Sequence, residues 1–139
     1  MADFVEVYDV TSEDFVTAGD ASRNIKRILK KIGLDAKLIR RIAIASYESE
    51  INMAIHSYGG TITFEIEGDT IIVTCKDTGP GIKDIEKAMT EGYSTASDSA
   101  RAIGFGAGMG LPNIRNNSDK LDITSSKAGT TLIVTFNID

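Results

Sequence analysis

The chain has 139 residues, 42% hydrophobic and 25% charged, with a net charge of −5. That length suits a single domain over 1–139 with one core. No apolar run approaches the roughly 20 residues of a membrane span, and the acidic balance argues against nucleic acid as a partner. Cys75 stands alone, so no internal disulfide can form, and the acidic, alternating start MADFVEVYDV lacks the form of a signal peptide. A reducing cytoplasm is the expected compartment.

Residues 3–10 alternate and predict a strand. Between Ala21 and Ile32, Ile25, Ile28, Leu29 and Ile32 recur at helical spacing, with Asp20 as the expected N-cap and Gly33 as the stop. A second helix is predicted from about Asp35 to Ser57, ended by Tyr58-Gly59-Gly60. Lys26, Arg27, Lys30, Lys31, Lys37, Arg40 and Arg41 lie on these two helices and read as solvated faces or as a docking surface for an acidic protein. Thr61–Glu67 and Thr70–Lys76 are β-rich and flank Gly68-Asp69, which predicts a hairpin. Cys75 reads as a small buried hydrophobe in the second of these strands. A short helix is expected over Asp84–Met89, a polar loop over 92–101, a helix over Leu111–Asn117, and strands over Leu121–Ser126 and Thr131–Ile138. Helices first and hairpins after predict an α/β (α+β) two-layer sandwich.

Three stretches carry candidate chemistry. Glu48, Asn52 and His56 fall at i, i+4 and i+8, on one face of the second helix. A polar stripe can simply face solvent. It also suits a site that needs a carboxylate to orient or deprotonate a nucleophile and an amide oxygen as a hard ligand for Mg²⁺. His56 could equally pack at the helix end. Asp77-Thr-Gly79-Pro-Gly81 follows a strand directly. These are turn residues, but a carboxylate at a strand end can also accept a hydrogen bond from an exocyclic amine while the glycines admit a flat ring. In GFGAGMGLPN, glycines occupy 104, 106, 108 and 110. The cost of each, about 0.5–1 kcal/mol within a regular element, leaves either a mobile loop or a backbone that approaches a phosphate chain closely.

Taken in this order and spacing, the three resemble the boxes of the GHKL (Bergerat-fold) ATPase superfamily, over roughly residues 20–138. The stretches Glu86–Thr95 and Gly108–Arg115 are most similar to the anti-sigma and switch-protein serine kinases, the stressosome switch kinases in particular. The resemblance implies a Bergerat fold, with helices on one face of a mixed, mainly antiparallel sheet. It implies a protein serine/threonine kinase that transfers the γ-phosphate of Mg-ATP, with ADP as product, to a STAS-domain protein. The rival is an anti-sigma factor that sequesters a sigma factor with ATP as a structural ligand; a PPM-type phosphatase is a further expected partner, and related kinases include dimers.

Residue by residue, the resemblance implies that Asn52 ligates Mg²⁺ and that Glu48 is the base or orienter for the attacking hydroxyl. Asp77 would recognise adenine with Thr130 or Thr131 nearby, and Gly79 and Gly81 would shape that pocket. Gly104, Gly106, Gly108 and Gly110, with Met109 and Leu111, would wrap the phosphates beneath an ATP lid over about 92–110 that includes Ser94 and Thr95. His56 is carried over as a nucleotide contact. Of the flanking Arg101 and Arg115, Arg115 is the expected γ-phosphate partner, on the premise that it faces the phosphates from a helix start. Glu50 departs from the pattern, standing where many relatives carry a small or apolar residue.

Overall fold

The computed structural model describes residues 3–11, 18–79, 81, 89 and 110–138. The expected short helix over 84–89 lies outside these residues except for Met89, and so does the predicted loop over 92–101. The described elements are β1 (Phe4–Val10), α1 (Asp20–Ile32), α2 (Ala36–His56), β2 (Gly60–Glu67), β3 (Thr70–Asp77), α3 (Gly110–Asn117), β4 (Lys120–Ser126) and β5 (Gly129–Asn137).

The five strands order as β1-β2-β3-β5-β4. Every pairing among them is antiparallel, which narrows the expected mixed sheet. Two hairpins account for most of this: β2–β3 turns at Gly68-Asp69, and β4–β5 turns at Lys127-Ala128. Strand alternation then sorts the faces. Ile62, Phe64, Ile71, Val73, Leu132, Val134 and Phe136 point into the core, where Ile25, Leu29, Ile42, Ala45 and Ile114 of the helices meet them. Cys75 belongs to that core as expected, and burial pushes its thiol pKa up to about 12.

The start of α1 differs from the sequence expectation. Gly19, not Asp20, is the N-cap; it sits at φ 105° and makes no side-chain cap. The acceptor comes from α2 instead. Glu50, only 3% exposed, takes Ala21 N–H on Oε2 at 3.1 Å and Ser22 N–H on Oε1 at 3.0 Å. One carboxylate thus satisfies two of the donors that a helix start leaves unpaired, and its charge suits the positive end of the helix dipole. Glu50→Ala should lower unfolding stability by about 2–3 kcal/mol, because it strands two buried N–H groups. Glu50→Gln, which keeps one acceptor oxygen, should lose less; urea melts of the pair check this.

The start of α2 follows the sequence. Asp35 caps it, accepting from Lys37 N–H at 3.1 Å and Leu38 N–H at 3.4 Å. At its other end, Ser57 O–H donates to Met53 O at 2.6 Å. The helix therefore stops at a fixed point beside the sheet, with Glu48, Asn52 and His56 on its last three turns.

Candidate nucleotide site

Four element ends converge: the C-terminus of α2, the C-terminus of β3, the start of β5 and the start of α3. Backbone bonds lock the first two together. Tyr58 N–H donates to Thr78 O at 2.8 Å, and Thr78 N–H returns to Gly59 O at 3.0 Å. A Cβ on Gly79 would lie 3.1 Å from Ser57 Cα, so the turn after Asp77 sits directly against the end of α2.

Asp77 is held from the other side by β5. Its Oδ1 accepts Thr130 N–H at 3.0 Å. Burial raises the Asp77 pKa, and the Thr130 bond partly offsets that rise. The chain pieces around it leave no room for side chains. A Cβ on Gly129 would fall 2.1 Å from Asp77 O, and one on Gly81 would fall 2.0 Å from Ser126 O. Gly81 also needs a left-handed φ of 77°. The two glycines bring the β4–β5 turn and the loop after β3 into direct contact around the carboxylate.

Alternation separates the two candidate threonines. Thr130 is buried beside Asp77, and its hydroxyl is 2.8 Å from Ser125 Oγ. Thr131 pairs with Lys76 and Thr124 on the opposite, open face of the sheet, so its side chain does not share the site with Asp77.

On α2, Asn52 faces the first residue of α3. A Cβ on Gly110 would meet Asn52 Oδ1 at 2.7 Å and Nδ2 at 3.0 Å. The start of the helix that follows the glycine loop therefore rests on the Asn52 amide, and a larger residue at 110 would require that amide to shift. One turn along, Asn113 Nδ2 donates to Glu48 Oε1 at 3.4 Å. At the far end, Arg41 Nε donates to Asn117 O at 3.1 Å. The rungs 52–110, 48–113 and 41–117 show that α2 and α3 run antiparallel. Glu48 is half-buried; burial raises its pKa, with the Asn113 bond acting the other way. His56, in the last turn of α2, has its pKa lowered by burial and stays neutral more readily than a free imidazole.

Two placements differ from expectation. Leu111 is 8% exposed, with its side chain in the hydrophobic core, so only its backbone remains for a phosphate. Arg115 is exposed and lies in the last turn of α3, not at its start, so the premise that put it over the phosphates does not hold. Ser94, Thr95, Arg101, Gly104, Gly106, Gly108 and Met109 lie outside the described residues. Asn113 was missed as a site residue; its only sequence signal was its position in the Pro-Asn-Ile-Arg run after the loop. A separate cleft of about 350 Å³ opens between β1 and the start of α1, and neither Asn52 nor Asp77 lines it.

Among the described residues no three His, Cys, Asp or Glu side chains gather into a metal cage, and no helix is long and apolar enough to cross a membrane. What converges instead is a half-buried carboxylate at a strand end, held by Thr130 N–H, and a carboxylate–amide stripe at a helix end. This is the layout of an ATP-binding domain of the histidine kinase type. The chain belongs to the histidine kinase-like ATPase domain family, whose model matches residues 12–136.

Its relatives carry kinase and anti-sigma names. It is 30% identical to the serine/threonine-protein kinase RsbT of Bacillus subtilis, over 84% of this chain and 82% of that one. It is 35% identical to an anti-sigma F factor of Thermoanaerobacter sp., over 68% of this chain and 66% of that protein. The fold is shared with a crystal structure of the RsbU and RsbW domains of a Mycobacterium tuberculosis protein. That match has a TM-score of 0.60 at 18% identity and covers 96% of this chain and 32% of the other. By family the chain is thus an ATPase domain of the histidine kinase type, and its relatives include a serine/threonine-protein kinase and anti-sigma factors.

Proposed function

We propose that the protein is a cytoplasmic serine/threonine kinase of a bacterial partner-switching pathway, which moves the γ-phosphate of Mg-ATP to a hydroxyl of a STAS-domain protein. The observation that carries this reading is the placement of Glu48 on the same helix face as Asn52, one turn from it and beside the start of α3. Nucleotide binding alone has use for Asn52 and Asp77 but not for a half-buried carboxylate beside them.

In this reading Asp77 accepts the adenine amine with the oxygen that Thr130 does not use. Thr130 N–H fixes the carboxylate, while Gly79 and Gly81 let the loop after β3 close against the end of α2 and the β4–β5 turn beside it. Asn52 would hold Mg²⁺ through its amide oxygen; few protein ligands are ordinary for this cation. The ion supplies charge neutralisation on the phosphates. Glu48 takes the proton of the attacking hydroxyl as the new O–P bond forms and the bond to the β–γ bridging oxygen breaks, releasing ADP. Positioning and charge do most of the work in such a transfer. The glycine run over 104–110 wraps the phosphates, and His56 borders the nucleotide in its neutral form.

The second reading, sequestration of a sigma factor with ATP as a structural ligand, draws support from the anti-sigma F relatives. One experiment separates the two. The protein is incubated with Mg-ATP and, in turn, each STAS-domain protein of its genome, and intact masses are read for an added phosphate. Transfer to one of them supports the kinase and identifies its substrate. Clear ATP binding and stable association with a sigma factor, without transfer, supports sequestration.

A further inference from the structure

Glu48 has two carboxylate oxygens, and the fold treats them differently. Oε1 receives Asn113 Nδ2 at 3.4 Å, from the first turns of α3. Oε2 has no hydrogen bond among the described residues. Asn113 is itself anchored. Its backbone oxygen accepts Asn117 Nδ2 at 2.8 Å, Ile114 next to it is fully buried, and Gly110 one turn earlier rests on the Asn52 amide. A donor on a seated helix is therefore aimed at one oxygen of the carboxylate, and that helix is the one the glycine loop leads into.

We propose that Asn113 is the positioning residue for Glu48: its amide holds Oε1 and so turns Oε2 toward the hydroxyl that attacks the γ-phosphate. The inference rests on the kinase reading, in which Oε2 takes the hydroxyl proton while phosphorus exchanges the β–γ bridging oxygen for the attacking one. The 3.4 Å contact is long for an amide–carboxylate bond, and bonds to catalytic groups commonly shorten once substrate is bound.

Asn113→Asp is the discriminating variant. It keeps the size and packing of the side chain but replaces the donor with a second carboxylate facing Glu48. Three readouts are taken: Mg-ATP affinity by calorimetry, ADP formation from Mg-ATP with water as acceptor, and the Glu48 carboxyl signal in protein labelled with ¹³C-glutamate, identified by its absence in Glu48→Gln. The expected result is a Kd within about threefold of wild type, turnover reduced 10- to 100-fold and a displaced Glu48 signal. Asn113→Gln, which retains the donor, should recover a large part of the turnover, as a purely structural role would not require. Wild-type turnover in Asn113→Asp, or an unmoved Glu48 signal, overturns the assignment. Failure of the kinase reading looks different: the wild-type protein then binds Mg-ATP but forms ADP neither with water nor with any STAS-domain protein.

Discussion

Asp77→Asn should lose most of the protein's affinity for ATP, about 100-fold or more, while folding as stably as the wild type. The two halves of this expectation follow from different atoms. Thr130 N–H donates to Asp77 Oδ1 at 3.0 Å, and an asparagine oxygen can accept that bond equally well. Burial already raises the Asp77 pKa, which means that the ionised form is disfavoured where it sits. A neutral amide removes that cost, so thermal unfolding should show no drop in midpoint. The sign for pH is the same: an acid whose folded pKa is raised favours the folded state at low pH, and that contribution fades as pH rises through the folded value. Ligand binding is another matter. The second oxygen, which would accept the adenine amine, becomes an NH₂ that faces another donor. Losing a charge-assisted bond and leaving a donor unpaired costs about 3 kcal/mol, or roughly two orders of magnitude in Kd. Calorimetry with ATP and a melting curve on the same sample check both halves. Wild-type affinity would remove Asp77 from adenine recognition.

The contrast between what the sequence reveals and what it hides has a simple physical basis. Features set by neighbours along the chain were legible. The helical period of Ile25, Ile28, Leu29 and Ile32 marked α1, and Asp35 began α2 by bonding to residues two and three ahead. Gly68-Asp69 turned β2 into β3, and the family itself was legible because the motifs that carry the resemblance are local patterns. Features set by partners far along the chain were not. Glu50 caps α1 from 28 and 29 residues downstream, so local reasoning gave that cap to Asp20. Asn113 reaches Glu48 across 65 residues, and nothing in either segment names the other. The threonine ambiguity had a third cause. Thr130 and Thr131 are chemically identical, and only the β5 register, with Thr131 opposite Lys76, decides which one turns toward Asp77. Arg115 was misjudged through helix length: with α3 starting at Gly110, position 115 already belongs to its last turn.

Glu48→Gln should bind Mg-ATP as the wild type does and lose phosphate transfer by about 100- to 10,000-fold, the usual range for removing a general base. The geometry explains why binding should survive. Glu48 lies one turn before Asn52 on α2, and its recorded partner is Asn113 on α3, whereas the adenine acceptor Asp77 stands at the end of β3. Glutamine is the same size and keeps an oxygen for Asn113 Nδ2, so the α2–α3 contact persists. What disappears is the ability to take a proton. The half-buried setting raises the Glu48 pKa, so the base is stronger than an exposed glutamate but is also protonated earlier as pH falls. Wild-type turnover should therefore decline on the acid side at a pH above the ordinary glutamate range, and this limb should be absent from the residual activity of Glu48→Gln. A variant that transfers phosphate at the wild-type rate would show that the carboxylate serves only to seat α3. The catalytic role would then have to pass to another group, and the pairing of Asn113 with Glu48 would be a packing contact alone.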